Sequence, residues 1–219
     1  MSLNSCVFKG IRIYEVPSVE ALVKSAYNSK TFLLPINESL LRNFYELNSS
    51  NSLKWMRYPQ DEKALVVLEQ AGLYNSLTVA PYDVFTTILA NYGDSCRFCF
   101  IGSDHSILKA TTATLKKQFS KFNSNSIVLT SDTNMDLKAI KKSFNSNCPD
   151  FVFIDSSAKH YFSVELIIPL IAKKYPSVYV ATEDSFSILL ENYSNYGWLD
   201  FILYTIRIEW GLLKKRLRF

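Results

Sequence analysis

Three short segments carry residues that could do chemistry, and each follows an apolar run typical of a buried strand. They are Gly102–His105, Asp155–His160 and Thr182–Ser187. In the first, the backbone amides around Gly102 and Ser103 could cradle a phosphate where a helix begins, or the pair could form a simple tight turn. In the second, Lys159 could neutralise an anionic ligand or lie solvated at a helix start, and His160 could act as a general acid or base.

Carboxylates follow two of the same strands. Asp155 comes directly after Phe151–Ile154 and could either bind a ligand hydroxyl or cap a turn. Glu183 and Asp184 follow the last apolar run, and a pair of carboxylates could hold a metal ion. No third ligand stands out near them, so we expect no metal.

Alternating strands and helices must position these residues. Apolar runs alternate with amphipathic stretches of helical spacing, which predicts a parallel sheet with right-handed crossovers. Such sheets bind ligands outside the carboxyl ends of their strands. The predicted strands are Arg97–Gly102, Ile127–Leu129, Phe151–Ile154 and Val178–Val180, with Asn123–Ser126 as a polar connection.

The first part of the chain continues the same pattern. Strands are predicted at Phe8–Tyr14 and Thr31–Ile36. Helices are predicted after Ser18, over Asp61–Ala71 and after Asp83, because Ser and Asp are preferred at helix N-caps. The fold class is therefore α/β, with a Rossmann-like, mostly parallel sheet flanked by helices.

Bulk properties bound the class of protein. The chain has 219 residues, of which 48% are hydrophobic, enough for one domain over residues 1–196 and an appendage over 197–219. A net charge of +4 is mild for a nucleic-acid binder, and no secretory signal or membrane span is evident. Cys96 and Cys99 form a CxxC motif that no second cysteine pair accompanies. The sequence therefore favours ordinary thiols over a metal or redox site, and a reducing, cytoplasmic compartment.

The appendage is predicted to be an amphipathic, basic helix. Its aromatic and basic residues include Trp198, Trp210, Lys214, Lys215, Arg216 and Arg218. The helix could pack on the core or on another subunit. It could instead lie on an anionic membrane, where apolar burial and attraction to lipid headgroups act together.

Taken in order, several segments resemble the WecG/TagA/CpsF glycosyltransferases. Phe8–Ile13 is similar to the family's opening strand, and Asn37 closes a strand that in the family ends in T-x-N. Val79–Phe85 is similar to V-x-G-x-D-L-F, Phe100–Gly102 to LLG, and the basic tail to a membrane-associating C-terminus. The chain departs at Pro59-Gln60-Asp61, where the family has Pro-Asp-Gly with its proposed catalytic aspartate.

The resemblance implies transfer of a sugar, typically N-acetylmannosamine or its uronic acid, from a UDP donor to a polyprenyl-diphosphate-linked acceptor. Such enzymes build bacterial cell-surface polysaccharides at the inner face of the cytoplasmic membrane, with no nucleic acid involved. It implies that Gln60 or Asp61 occupies the catalytic position, although Asp61 could instead only cap a helix. The donor would be bound by Asn37, Gly102, Ser103, Asp155, Lys159, His160, Glu183 and Asp184.

Two other hypotheses remain open. The departure at Gln60 is compatible with a catalytically inactive relative that binds nucleotide sugar or lipid-linked sugar, or serves as a scaffold subunit. An unrelated nucleotide-binding module is the third. Whether the protomers form a homo-oligomer is left open by the sequence.

Overall fold

The computed structural model describes residues 3–8, 11–38, 55–130, 133–155 and 171–193. They form an eight-stranded, mostly parallel sheet with helices on both faces, which confirms the predicted Rossmann-like α/β class. The strands are β1 Ser5–Phe8, β2 Ile11–Tyr14, β3 Phe32–Ile36, β4 Trp55–Pro59, β5 Arg97–Gly102, β6 Asn123–Val128, β7 Phe151–Ile154 and β8 Val178–Ala181. The helices are α1 Val19–Ser29, α2 Glu62–Gln70, α3 Pro81–Tyr92, α4 His105–Gln118, α5 Thr133–Ser146 and α6, residues 185–193. The predicted C-terminal helix lies outside the described residues.

The strands follow the order β1-β2-β4-β3-β8-β7-β5-β6 across the sheet. Every described pairing is parallel except β1 with β2, which are antiparallel neighbours with Phe8 opposite Ile11. The prediction of one strand over Phe8–Tyr14 is therefore wrong. The sequence Lys9-Gly10 separates two strands, and a two-residue connection with glycine favours a hairpin.

Alternate residues of the central strands feed two hydrophobic cores, one on each face of the sheet. Phe98 and Phe100 of β5 point into the first core, together with Phe151 and Phe153 of β7. Their neighbours, including Cys99, point into the second. Burial of each such phenylalanine contributes about 2 kcal/mol, so the strands are held firmly in register. Both faces are covered, which explains why these strands read as continuous apolar runs.

Two strands differ from the sequence prediction. β4, over Trp55–Pro59, was not predicted at all. β6 begins at Asn123 rather than Ile127, and its polar half pairs in parallel with β5 from Arg97 onwards. The polar residues are tolerated because β6 is an edge strand and only one of its sides is paired.

Polar N-cap residues and a glycine define several of the helix ends. Ser18 Oγ accepts from the Ala21 amide at 3.1 Å at the start of α1. Asp104 caps α4, and Gly72, with φ +81°, follows α2 in the left-handed region that glycine adopts without strain. Among the described residues, none of the helices is both long and apolar enough to cross a lipid bilayer.

Candidate functional site

The carboxyl ends of the parallel strands bring most of the predicted site residues to one edge of the sheet. Across that edge lie Gln60 after β4, Asn37 after β3, Glu183 after β8, Asp155 after β7 and Gly102 at the end of β5. Ser103 and Asp184 adjoin this row. The predicted location of the candidate residues at the strand ends is therefore seen in the fold, whereas their binding roles stay predictions.

A topological switch point falls between β5 and β7. The chain leaves β5 towards the edge strand β6, whereas it leaves β7 in the opposite direction towards β8. α4, which follows β5, packs into the first core through Leu108, and Ile171, which precedes β8, packs into the second. In open α/β sheets, the crevice where connections diverge is where ligands bind.

Gly102 and Asp155 flank this switch point at close range. The Asp155 amide donates to the Ile101 carbonyl at 2.8 Å, which continues the pairing of β5 and β7. A Cβ added at Gly102 would lie 3.2 Å from the Asp155 Cβ and 3.4 Å from the Leu108 Cδ2. Glycine therefore allows β7 and α4 to approach closely, because a Cβ here would require Asp155 to shift by a few tenths of an ångström; this is a packing role beside the predicted binding role.

The amides at the start of α4 are partly engaged already. The Asp104 Oδ1 accepts from the backbone of Ser106 at 2.7 Å and of Ile107 at 3.1 Å. A hydrogen bond from the Ser106 hydroxyl is the main reason why the pKa of Asp104 is lowered. A phosphate at this helix end would have to bind the amides of residues 103–105, and it would lie close to the negative charge of Asp104. This favours the interpretation of Gly102-Ser103 as a simple tight turn.

A second group of polar residues joins three strand ends. The Gln60 Nε2 donates to the Glu183 Oε2 at 2.9 Å, and the Gln60 Oε1 accepts from the Asn37 Nδ2 at 3.4 Å. The Gln60 amide donates to the Ile36 carbonyl at 2.9 Å, which fixes its backbone beside β3. We call Asn37, Gln60 and Glu183 the amide–carboxylate cluster.

Glu183 has an unusual backbone and an unusual environment. Its φ is +47°, in the left-handed region that costs non-glycine residues about 1–2 kcal/mol. Burial raises the pKa of the Glu183 carboxyl, the hydrogen bond from Gln60 lowers it, and the nearby Asp184 charge raises it. Asp184 itself is exposed to solvent.

Tyr58 interacts electrostatically with Glu183 of this cluster and with Asp83, and the sequence indicated no such role for either Tyr58 or Asp83. Tyr58 is fully buried on β4, and its hydroxyl has no hydrogen-bond partner among the described residues. Burial, followed by the charges of Glu183 and Asp83, raises the pKa of Tyr58 well above its usual range. The signal for Tyr58 was its position two residues before Gln60, because alternate strand residues share a face.

Asp83 does not cap α3 as predicted. The N-cap is Ala80, and Asp83 stands in the first turn after Pro81. Burial raises the pKa of Asp83, while a hydrogen bond with the Ala80 backbone acts in the opposite direction. The carboxyl at the third helical position thus reaches back to the N-cap, as in a capping box.

Asp61, the other catalytic candidate, serves as the N-cap of α2. Its Oδ1 accepts from the Ala64 amide and its Oδ2 from the Glu38 amide, both at 2.8 Å. Lys63 in turn pairs with the Glu38 carboxylate. Both oxygens of Asp61 therefore have structural partners, which is the capping alternative that the sequence left open.

Other predicted residues lie outside the described part of the chain. These are Lys159, His160, Trp198, Trp210, Lys214, Lys215, Arg216 and Arg218. In the described ranges, no three His, Cys, Asp or Glu side chains converge as metal ligands would. The expectation that the chemistry needs no metal stays a prediction.

Comparisons with known proteins add no support to the resemblance, which rests on the motifs alone. No protein-family model matches the chain. No curated protein matches its sequence either. Function must accordingly be argued from the strand-end geometry and from the resemblance of individual segments.

Proposed function

We propose that the protein is a glycosyltransferase that moves a sugar of the N-acetylmannosamine type from a UDP donor to a polyprenyl-diphosphate-linked acceptor. The product would be an intermediate of cell-surface polysaccharide synthesis. The observation that carries the proposal is that Asn37, Gln60 and Glu183 lie at the same carboxyl edge of the sheet as Gly102 and Asp155, which flank the switch point. Open α/β sheets bind ligands at this edge, and hydrogen-bonding side chains are present along it.

The donor would lie across the carboxyl ends of the central strands. In this proposal Asp155, which follows β7 at the switch point, accepts a hydrogen bond from the ribose. Developing charge on the leaving diphosphate must be stabilised, and in this proposal Lys159 does so together with the backbone amides around Gly102 and Ser103, while His160 also binds the donor. In this proposal the cations of the protein take the place of a metal ion.

The acceptor would be reached at the inner face of the cytoplasmic membrane. The polyprenyl chain keeps the acceptor in the bilayer, so a peripheral anchor would bring the transferase to it. The basic, aromatic tail over residues 198–219 has the composition of an interfacial helix. Each basic residue near an anionic surface contributes about 1 kcal/mol to attraction.

One observation favours the alternative of a catalytically inactive binding subunit. The triplet that carries the catalytic aspartate in the family contains Gln60 here, and the carboxylate of Asp61 is engaged by two backbone amides. Such a protein would bind UDP-sugar or the lipid-linked sugar without turnover.

A thermal-shift screen of UDP-sugars, followed by an assay of UDP release, separates the possibilities. Stabilisation by UDP-N-acetylmannosamine together with UDP release in the presence of an isoprenyl-diphosphate-linked glycan supports the transferase. Stabilisation without release supports the binding subunit. No stabilisation by any UDP-sugar contradicts both and leaves an unrelated module.

A further inference from the structure

We propose that Glu183 is the general base of the sugar transfer and that Gln60 is its positioning residue, an inference that rests on the proposed function. Glu183 would replace the carboxylate that the chain lacks at position 60. The Gln60 Nε2 contacts the Glu183 Oε2 at 2.9 Å, although the two residues are 123 positions apart in the sequence.

The identity of residue 60 matches this arrangement chemically. An amide at position 60 donates a hydrogen bond to a carboxylate, whereas an aspartate there would repel Glu183. The Gln60 side chain is itself held through the Asn37 amide at 3.4 Å. A neutral amide donor orients the carboxylate without adding a positive charge beside it.

The backbone around Glu183 is held in a defined turn between β8 and α6. The Thr182 Oγ1 donates to the Ile154 carbonyl at 2.9 Å, and the Ser185 amide donates to the Thr182 carbonyl at 3.0 Å. Glu183 keeps a φ of +47° inside this turn. Strained non-glycine residues persist where surrounding structure enforces them, and they concentrate at functional sites.

The Glu183 carboxylate also acts on the buried Tyr58, because its charge helps to raise the pKa of that hydroxyl. Tyr58 is fully buried, its hydroxyl has no hydrogen-bond partner among the residues described, and it senses the charges of Glu183 and Asp83. A buried polar group left unpaired costs about 1–3 kcal/mol.

The proposed step is a single displacement at the anomeric carbon. The acceptor hydroxyl gives its proton to the Glu183 carboxylate as its oxygen forms a bond to C1 of the donor sugar. The bond between C1 and the diphosphate oxygen breaks, and its electron pair leaves with UDP. Asp61 is poorly suited to this role because both its oxygens already accept backbone hydrogen bonds.

The test compares Glu183→Gln with Glu183→Asp and with the control Glu191→Gln, a like substitution at an exposed carboxylate of α6. UDP-N-acetylmannosamine and an isoprenyl-diphosphate-linked glycan are the probes, and UDP release and calorimetric donor binding are measured. Glu183→Gln should lower kcat by on the order of a hundredfold or more while donor Kd stays within about twofold. Glu183→Asp should recover part of kcat, and Glu191→Gln should match wild type.

The outcomes separate the two proposals. If the wild-type protein released no UDP, both the proposed transferase function and the assignment of Glu183 as its base would be wrong. If Glu183→Gln released UDP at a rate within about tenfold of that of an active wild type, only the assignment of Glu183 as the base would be wrong. Loss of donor binding in Glu183→Gln would make Glu183 a binding residue and would also overturn the assignment.

The positioning role has its own readout in the pH profile. The hydrogen bond from Gln60 lowers the pKa of Glu183, so Gln60→Leu should move the acidic limb of the kcat profile to higher pH. Among the described residues, Tyr58 and Asp184 interact electrostatically with this carboxyl and are unchanged in the variant. The exposed Gln70→Leu is the control, and an unshifted limb in Gln60→Leu would refute the role.

Discussion

Replacing Asp61 should separate its structural role from a catalytic one. The carboxylate accepts from the Ala64 amide, which caps α2, and from the Glu38 amide, both at 2.8 Å. Loss of an N-cap costs about 1 kcal/mol, and loss of a hydrogen bond to a charged group costs about 1.5 kcal/mol or more. Asp61→Ala should therefore lose about 2.5 kcal/mol of stability.

Asparagine at position 61 tests the geometry more finely. Its single carbonyl oxygen can replace only one of the two acceptors, and its NH2 group would face the other backbone amide. Asp61→Asn should thus lose about 1.5 kcal/mol, even though asparagine is nearly as good as aspartate at an ordinary N-cap.

Thermal unfolding followed by circular dichroism measures both losses. At about 2–4 °C per kcal/mol for a chain of this size, Tm should fall by about 5–10 °C in Asp61→Ala and about 3–6 °C in Asp61→Asn. Glu69→Gln, at an exposed position of α2, is the control and should leave Tm unchanged. An unaltered Tm in Asp61→Asn, combined with loss of UDP release, would refute the capping account and restore Asp61 as the base.

Three further predictions address other parts of the molecule. Gly102→Ala should weaken UDP binding by about fivefold in calorimetry, because the new Cβ would lie 3.2 Å from the Asp155 Cβ and displace Asp155; unchanged affinity would count against a site there. Burial raises the pKa values of Glu183 and Asp83, so the native state should lose stability as pH rises from about 4 through the raised values. Tm should therefore fall less steeply with rising pH in Asp83→Asn than in wild type. Parallel curves of Tm against pH for the two proteins would contradict this prediction. Removal of residues 198–219 should abolish salt-sensitive sedimentation with anionic liposomes; equal sedimentation would exclude the tail as anchor, and loss of cooperative unfolding would place it in the core.

The central strands were predictable because their physical signal is strong. β5, β7 and β8 are buried on both faces, so each appears as an uninterrupted apolar run followed by a polar residue. β4 escaped prediction because Arg57 interrupts its five residues, and its stability comes from pairing with β3. The predicted strand was shorter than β6 because edge strands tolerate polar residues, and such residues resemble a loop in the sequence.

The site was predictable only in part. Position at a strand end can be read from the sequence, which is how Glu183 and Asp155 were selected, whereas Asn37 was selected from the resemblance to T-x-N. The contact between Gln60 and Glu183 could not be predicted, because it depends on β3 lying between β4 and β8 in the sheet. Strand order is a tertiary property that alternating strands and helices leave undetermined.

In the proposed function, the carboxyl edge of the sheet binds a nucleoside diphosphate beside Glu183. A crystal structure of the protein with bound UDP tests this most directly. The account predicts that the nucleotide contacts the strand ends at Gly102 and Asp155, with its diphosphate directed towards the amide–carboxylate cluster. UDP bound at the opposite edge, beside the residues where β3, β5 and β7 begin, would contradict the account, as would a crystal that binds no UDP at saturating concentration.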